Sequence, residues 1–262
     1  MSAFAACEEM VRRRDPDRFF AALFAPSAKR RFLYALYALN YELAHIAEVV
    51  REPMLADIRL AWWRETVEGA RVGKPRNHDV ARAMVEMLAE NDLPAALFEQ
   101  MIEARSFDAS PDVFADFDAL EAYCDATSGT LMRLAALILG GDAEDLAREA
   151  GTAYALSGLL RAIPFHAARR KLYLPTDILR IQNSSPDEIF AGQGGGGLEK
   201  VKRTIAWRAR EHLATARKCA VPRGTLAAFL PAALVPLYLR KPDAALYRRQ
   251  LVYLRAAFTG RL

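Results

Sequence analysis

The sequence predicts an all-α protein. Three observations carry that expectation: apolar residues recur at spacings of three and four, proline and small polar residues stand where helices would begin, and no stretch alternates apolar and polar residues between hairpin turns. Nine or ten helices are expected in 262 residues, and 53% apolar content suffices for one large core. Residues 1–262 are therefore read as a single domain.

Asp15 before Pro16 reads as an N-cap with proline at the first helical position, opening a short first helix with Phe19, Phe20, Leu23 and Phe24 as its apolar face. Ser27 is expected to cap a longer helix whose stripe, Leu36, Leu39, Leu43, Ile46 and Val50, makes it central. Pro53 opens a third, with Leu55, Ile58, Trp62 and Val67 at helical spacing. Further helices are expected over 78–90 and 94–106, and one capped by Asp118 that leads through Ala126-Thr127-Ser128-Gly129-Thr130 towards Gly140. Small residues there permit close helix packing or the approach of a ligand. The pattern over 142–164 stops at Pro164, a helix restarts at Thr176, and helices over 198–218, 224–240 and 243–258 complete the chain. Gly194 to Gly197 lacks the strand and the lysine of a phosphate loop and reads as a flexible connector.

Cys7, Cys124 and Cys219 are odd in number and far apart, which suits neither a disulfide framework nor a zinc site and points to a reducing compartment. Residues 1–14 carry two glutamates and no apolar run, unlike a secretory or transit segment. The longest apolar run, Leu226 to Leu239, contains Pro231 and Pro236 and falls short of the roughly 20 residues that span a bilayer. It either packs as a buried helix or rests on a membrane surface. Residues 200–262 hold 14 basic and 2 acidic residues, leaving the rest of the chain net acidic. A basic C-terminal segment fits an anionic partner: a membrane surface, a diphosphate or an acidic protein. No helix-turn-helix, zinc-finger or RNA-binding signature accompanies the charge, so nucleic acid is not expected.

Three passages carry a family likeness: Leu33-Tyr34-Ala35-Leu36-Tyr37-Ala38-Leu39; Tyr123-Cys124 with Ser128-Gly129 and Leu137 to Gly140; and Leu159-Leu160-Arg161 followed by Lys171-Leu172-Tyr173-Leu174-Pro175-Thr176-Asp177. In order and spacing the chain resembles the squalene and phytoene synthases. The resemblance implies an isoprenoid-synthase-like helical bundle around a central cavity, with Tyr37, Asn40, Ser128 and Gly129 among its lining. In that family two aspartate motifs face each other and hold Mg²⁺, which neutralises charge on the departing diphosphate. At the matching positions this chain reads Ala44-His45-Ile46-Ala47-Glu48 and Ala162-Ile163-Pro164-Phe165-His166, and Ala155 and Gly158 replace the family's glutamine and asparagine.

Of four aspartate positions only Glu48 keeps a carboxylate, so no catalytic residue, no metal site and no Mg²⁺ cofactor is expected. His45, Glu48 and His166 either form a zinc or iron set or line a degenerate cavity as polar residues. Arg161, Arg169, Arg170, Lys171 and Tyr173 stand near the implied diphosphate pocket. They either grip an anion without metal or form an ordinary solvated surface. Of the neighbours Trp62 and Trp63, about 100° apart on a helix, one is expected in the core and the other partly exposed.

Asn40-Tyr41-Glu42-Leu43-Ala44, Glu52-Pro53-Met54-Leu55 and Ile58 to Arg64 are similar to the phytoene-synthase-like assembly factors of respiratory complex I and their bacterial relatives. That likeness implies a noncatalytic assembly or chaperone role with respiratory complex subunits as partners. The protein is then cytoplasmic or peripheral on an inner membrane, on the matrix side if mitochondrial. An atypical prenyl transferase and an isoprenoid- or lipid-binding protein are the alternatives.

Overall fold

The helices that the periodicity predicts form the frame, and shorter pieces join them. The computed structural model describes residues 2–50 and 52–262. Among them the order is α1 (Ala3–Arg14), α2 (Pro16–Ala22), α3 (Ser27–Val49), α4 (Pro53–Arg71), α5 (Asp79–Glu90), α6 (Ala95–Ala104), α7 (Ser106–Ala109) and α8 (Phe117–Cys124). A π-turn over Asp125–Gly129 leads into α9 (Thr130–Ile138) and α10 (Glu144–Ala167). There follow α11 (Thr176–Ile181), α12 (Pro186–Phe190), α13 (Gly195–Ala216), α14 (Leu226–Phe229), a 3₁₀ turn over Leu230–Leu234, α15 (Val235–Tyr238) and α16 (Leu246–Thr259). No strand occurs among the described residues, and the all-α class stands.

Helix α3 is the axis: Phe32 to Asn40 are buried on every side of it, and the Leu36 to Val50 stripe is buried throughout. Helices α1 and α5 pack along it, and α10 packs along α13 and against the π-turn. That last crossing is unusually close. A Cβ on Gly151 would lie 2.4 Å from both Cα and N of Gly129. Here two glycines let backbone meet backbone, the first of the two uses expected for small residues at 126–130.

Asp17, 6% exposed, ties the two ends of the chain together. Its carboxylate accepts from Tyr154 Oη at 3.1 Å, from Arg249 at 2.7 Å and from the Tyr238 hydroxyl, while its main-chain oxygen accepts from Tyr253 Oη at 3.1 Å. Helices α2, α10, α15 and α16 thus meet on one side chain. An apolar layer of Ala21, Leu230, Leu234 and Ala256 surrounds it.

Several boundaries differ from the sequence reading. Helix α1 precedes the helix expected to be first: the Ser2 side chain caps it by accepting from Ala5 N at 3.3 Å, and Cys7 and Val11 bury its inner face. Asp15 caps α2 as expected, but Ser27 makes no side-chain cap and is the first residue of α3. The cap of α8 is Asp116, accepting from Ala119 N at 2.9 Å, with Asp118 inside the first turn.

Pro164 does not stop α10, which runs three residues further. The glycine run is no connector: α13 begins within it. A Cβ on Gly197 would lie 2.8 Å from the Gln182 carbonyl oxygen, and Gly195 has φ +50°, so glycine serves close approach and a positive φ there. The helix expected over 224–240 is broken by its prolines into α14, the 3₁₀ turn and α15. Leu230, Leu234 and Val235 are fully buried in it, so this run packs inside and does not rest on a membrane.

The stripe of α4 is displaced by one position. Ala56, Leu60, Trp63, Val67 and Ala70 face the core, whereas Leu55 and Ile58 are 46% and 59% exposed. Trp63 is the core tryptophan and Trp62 the partly exposed one, as the adjacency requires.

The Gly129–Gly151 contact yields a direct expectation. Gly151→Ala should destabilise the chain by roughly 2–3 kcal/mol, because two backbones must separate to admit the methyl group. Urea unfolding measures it, and Gly73→Ala, at a site where a Cβ meets nothing within 4 Å but φ is +72°, should cost less.

Candidate functional site

The two motif positions stand on α3 and at the end of α10, and a series of side-chain contacts runs from Asn40, one turn before the first, to His166 in the second. On α3, Asn40 is 8% exposed and its Oδ1 accepts from Arg105, beyond the end of α6, at 3.2 Å. Arg105 also donates at 3.1 Å to Asp108 on α7 and at 3.2 Å to the Tyr123 hydroxyl on α8. Asp108 in turn accepts from Tyr123 Oη at 2.6 Å and Tyr173 Oη at 2.9 Å. Finally the Tyr173 ring packs on His166, centroids 4.5 Å apart. Phe107 and Phe114 stack at 4.0 Å and complete an aromatic wall around the carboxylate.

Burial sets the protonation states of this cluster. It pushes the Tyr123 and Tyr173 hydroxyls up, and the Asp108 charge beside them adds to the effect, so both remain donors. For His166 burial dominates as well: the imidazole falls to about 4 despite the charges of Asp108 and Glu48. It is a neutral ring at pH 7.

The two motif positions do not make a metal site. Ala44 and Ala162 carry no ligand atom, His166 is engaged by Tyr173, and Glu48, 41% exposed at its side chain, lies 2.7 Å from His45 Nδ1. Among the described residues no three histidine, cysteine or acidic side chains come together as a metal would require. The hard oxygen cage that Mg²⁺ prefers is not offered by this donor set. His45 also turns away from His166, stacking on Tyr41 at 5.1 Å and lining a different cleft.

The five candidate anion ligands do not converge. Arg161 is exposed and lies over the Tyr238 ring at 3.7 Å; Arg169 covers Phe165 at 3.7 Å. Arg170 reaches outward to Asp187 at 3.4 Å. Lys171 folds inward and donates to the carbonyls of Phe107 and Ser110 at 2.7 Å and Asp112 at 3.1 Å, pinning the loop after α7. Tyr37 is 2% exposed with the Arg18 guanidinium 5.9 Å from its ring, and Ser128 Oγ is buried without a partner. Gly129 sits in the helix crossing described above.

Sequence reasoning missed Arg105 and Asp108. An arginine and an acid three residues apart read as a surface pair, and only the tertiary arrangement buries them. It also missed a second cluster, where Arg208 on α13 grips Glu121 on α8 with two bonds of 2.6 Å and His212 lies 2.8 Å from Glu149 and 3.2 Å from Glu121. Burial opposes the Glu121 charge, yet His212 and Arg208 outweigh it and hold the carboxyl at about 2. Burial likewise opposes the His212 charge, and the two carboxylates overcome it to raise the imidazole.

A cleft of ≈240 Å³ opens between α3 and α4, lined by Glu42, His45, Val49, Arg59, Trp62 and His78. Beside it Val49, Met54, Leu55 and Ile58 are 52%, 68%, 46% and 59% exposed, an apolar patch left by the displaced stripe of α4.

With this geometry the chain is an all-α protein of the isoprenoid synthase fold, with alanine, glutamate, alanine and histidine at 44, 48, 162 and 166. It belongs to the squalene/phytoene synthase family, whose model matches residues 11–257. A human protein, NADH dehydrogenase (ubiquinone) complex I, assembly factor 6, is 28% identical over 240 residues, covering 90% of this chain and 72% of the relative. The 15-cis-phytoene synthase of Synechococcus elongatus is 26% identical over 208 residues, 72% of this chain and 66% of the relative. Among solved structures, a dehydrosqualene synthase in complex with ligand matches with a TM-score of 0.81 over 98% of this chain and 96% of its own, at 18% identity.

Two outcomes are expected. Asp108→Ala leaves two tyrosine hydroxyls without their acceptor and Arg105 without its carboxylate, and should cost about 3–5 kcal/mol in urea unfolding. His212, raised when folded, contributes stability in full below its unfolded value of 6.5 and loses it as pH rises through the folded value. Glu121, lowered when folded, contributes fully above 4.5 and loses its share as pH falls towards 2. Urea midpoints should therefore fall on both sides of pH 4.5–6.5, and His212→Gln should remove most of the alkaline fall.

Proposed function

We propose that this protein assists the assembly of respiratory complex I and does not transfer prenyl groups. The observation that supports the reading is the contact series from Asn40 through Arg105, Asp108 and Tyr173 to His166, which ties the polar groups beside the second motif position to one another. A leaving diphosphate would meet neutral His166 and one exposed carboxylate there, with no cage to neutralise it. The relatives named as assembly factors support the same reading.

The partner-facing surface we assign is the apolar patch Val49, Met54, Leu55 and Ile58 beside the cleft of Arg59 and Trp62. Large exposed apolar side chains clustered around a cleft mark an interaction surface. Met54, Leu55 and Ile58 belong to the passages that are similar to the assembly-factor branch. Its place of work is then the membrane that carries complex I, on the matrix side where the source is a mitochondrion.

Cells lacking the gene should accumulate less fully assembled complex I on native gels, with recovery on return of the wild type. Leu55→Asp with Ile58→Asp should fail to restore it while melting like the wild type, since both positions are exposed. Purified protein with farnesyl diphosphate and Mg²⁺ should release no diphosphate. Metal-dependent release, or unchanged complex I in the deletion, overturns the assignment.

A further inference from the structure

Helix α16 has two apolar faces, and the fold uses one. Tyr253 and Ala256 point inward, and Arg249 on the same side reaches Asp17. On the other side Tyr247, Leu251, Leu254 and Phe258 follow one another at spacings of four, three and four and form a single stripe. They are 57%, 60%, 56% and 94% exposed. At 100° per residue the centre of this stripe lies nearly opposite the buried face. Packing of the helix therefore gives no reason for it.

The charge around the stripe has one sign. Arg248 and Arg255 border it, and Leu246 to Thr259 contains no acidic residue. Around that border opens a groove of ≈1170 Å³ between the end of α13, α15 and α16, with Arg217, Arg240, Arg255 and Arg261 on its walls and no acidic side chain. Among the described residues neither Arg255 nor Arg261 has a carboxylate partner.

We propose that α16 is a membrane-docking helix, which lies in the headgroup region of an anionic bilayer with Leu251, Leu254 and Phe258 at the acyl boundary and the bordering arginines on lipid phosphates. An amphipathic helix with an apolar stripe, cationic flanks and no acid is the form that binds such an interface. A second copy of the chain fits poorly, because a two-fold contact through this face would bring the same arginines together with no carboxylate to answer them. A ring that is 94% exposed, as Phe258 is, also suits a deformable lipid surface better than a preformed protein pocket. The attachment is separate from the assembly role, and it lies on α16, not on the α3–α4 patch assigned to a protein partner.

Flotation of the full chain tests it with vesicles of phosphatidylcholine alone and of equal parts phosphatidylcholine and phosphatidylglycerol. The wild type should float with the anionic vesicles, stay down with the neutral ones, and be released by salt. Leu254→Asn with Phe258→Asn should weaken binding at least tenfold. Arg248→Gln with Arg255→Gln should weaken it roughly twenty-five-fold, about fivefold for each arginine lost. Circular dichroism and melting of both variants should match the wild type, since neither pair enters the core. A wild type that stays down with anionic vesicles, floats equally with neutral ones, or keeps floating after both pairs of substitutions overturns the proposal. Absence of flotation together with a dimer that Leu254→Asn and Phe258→Asn dissolve would assign the stripe to a second copy instead.

Discussion

A guanidinium largely removed from water needs acceptors, and Arg105, 14% exposed at its side chain, finds them for its two terminal nitrogens while its Nε stays buried without a partner. Asn40 answers from α3, Asp108 from α7 and the Tyr123 oxygen from α8, and Asp108 then needs the hydroxyls of Tyr123 and Tyr173 to complete its own shell. The requirement passes from group to group until it reaches His166. Each member fixes the position of the next, so the interior of the fold here is a packed polar lattice with aromatic walls. A cavity designed for a mobile, charged substrate has the opposite requirement: its polar groups must be free to let go.

The eroded motifs acquire a physical sense in that setting. A carboxylate in place of His166, whose ring packs on Tyr173, would lie near the buried Asp108 and demand a counter-charge. Two alanines, one carboxylate at the rim and a neutral imidazole place no such demand. A neutral His166 is therefore compatible with the Asp108 charge that Arg105, Tyr123 and Tyr173 hold.

Much of the frame was legible because it rests on local rules. The α3 stripe, the Asp15-Pro16 cap and the division of labour between Trp62 and Trp63 all follow from helical geometry and capping, and all are found. The failures share a cause, which is that tertiary contact decided between local alternatives. Pro164 reads as a stop, yet α10 continues to deliver His166 to Tyr173. Gly194 to Gly197 reads as loose chain, yet the start of α13 docks against Gln182 where a side chain would collide. On α4 apolar residues lie on more than one face, and the tertiary packing buries Ala56, Leu60 and Trp63 rather than Leu55 and Ile58. The site was half legible: a sequence can report which aspartates are missing, but Arg105 with Asp108 looks like any solvated pair until α3, α8 and the loop after α10 surround it.

Asp17 and its partners lie at opposite ends of the chain, and that separation has a consequence for order in time. When residue 17 leaves the ribosome, Tyr238, Arg249 and Tyr253 have still to be made, more than 220 residues later. At roughly 5–20 residues per second the carboxylate waits on the order of ten seconds or more in water before its companions arrive. Helix α16 thus seats on a charge laid down more than 220 residues earlier. The helix that closes the bundle is also the one with an unspent apolar stripe, so surface attachment and completion of the fold become possible at the same moment.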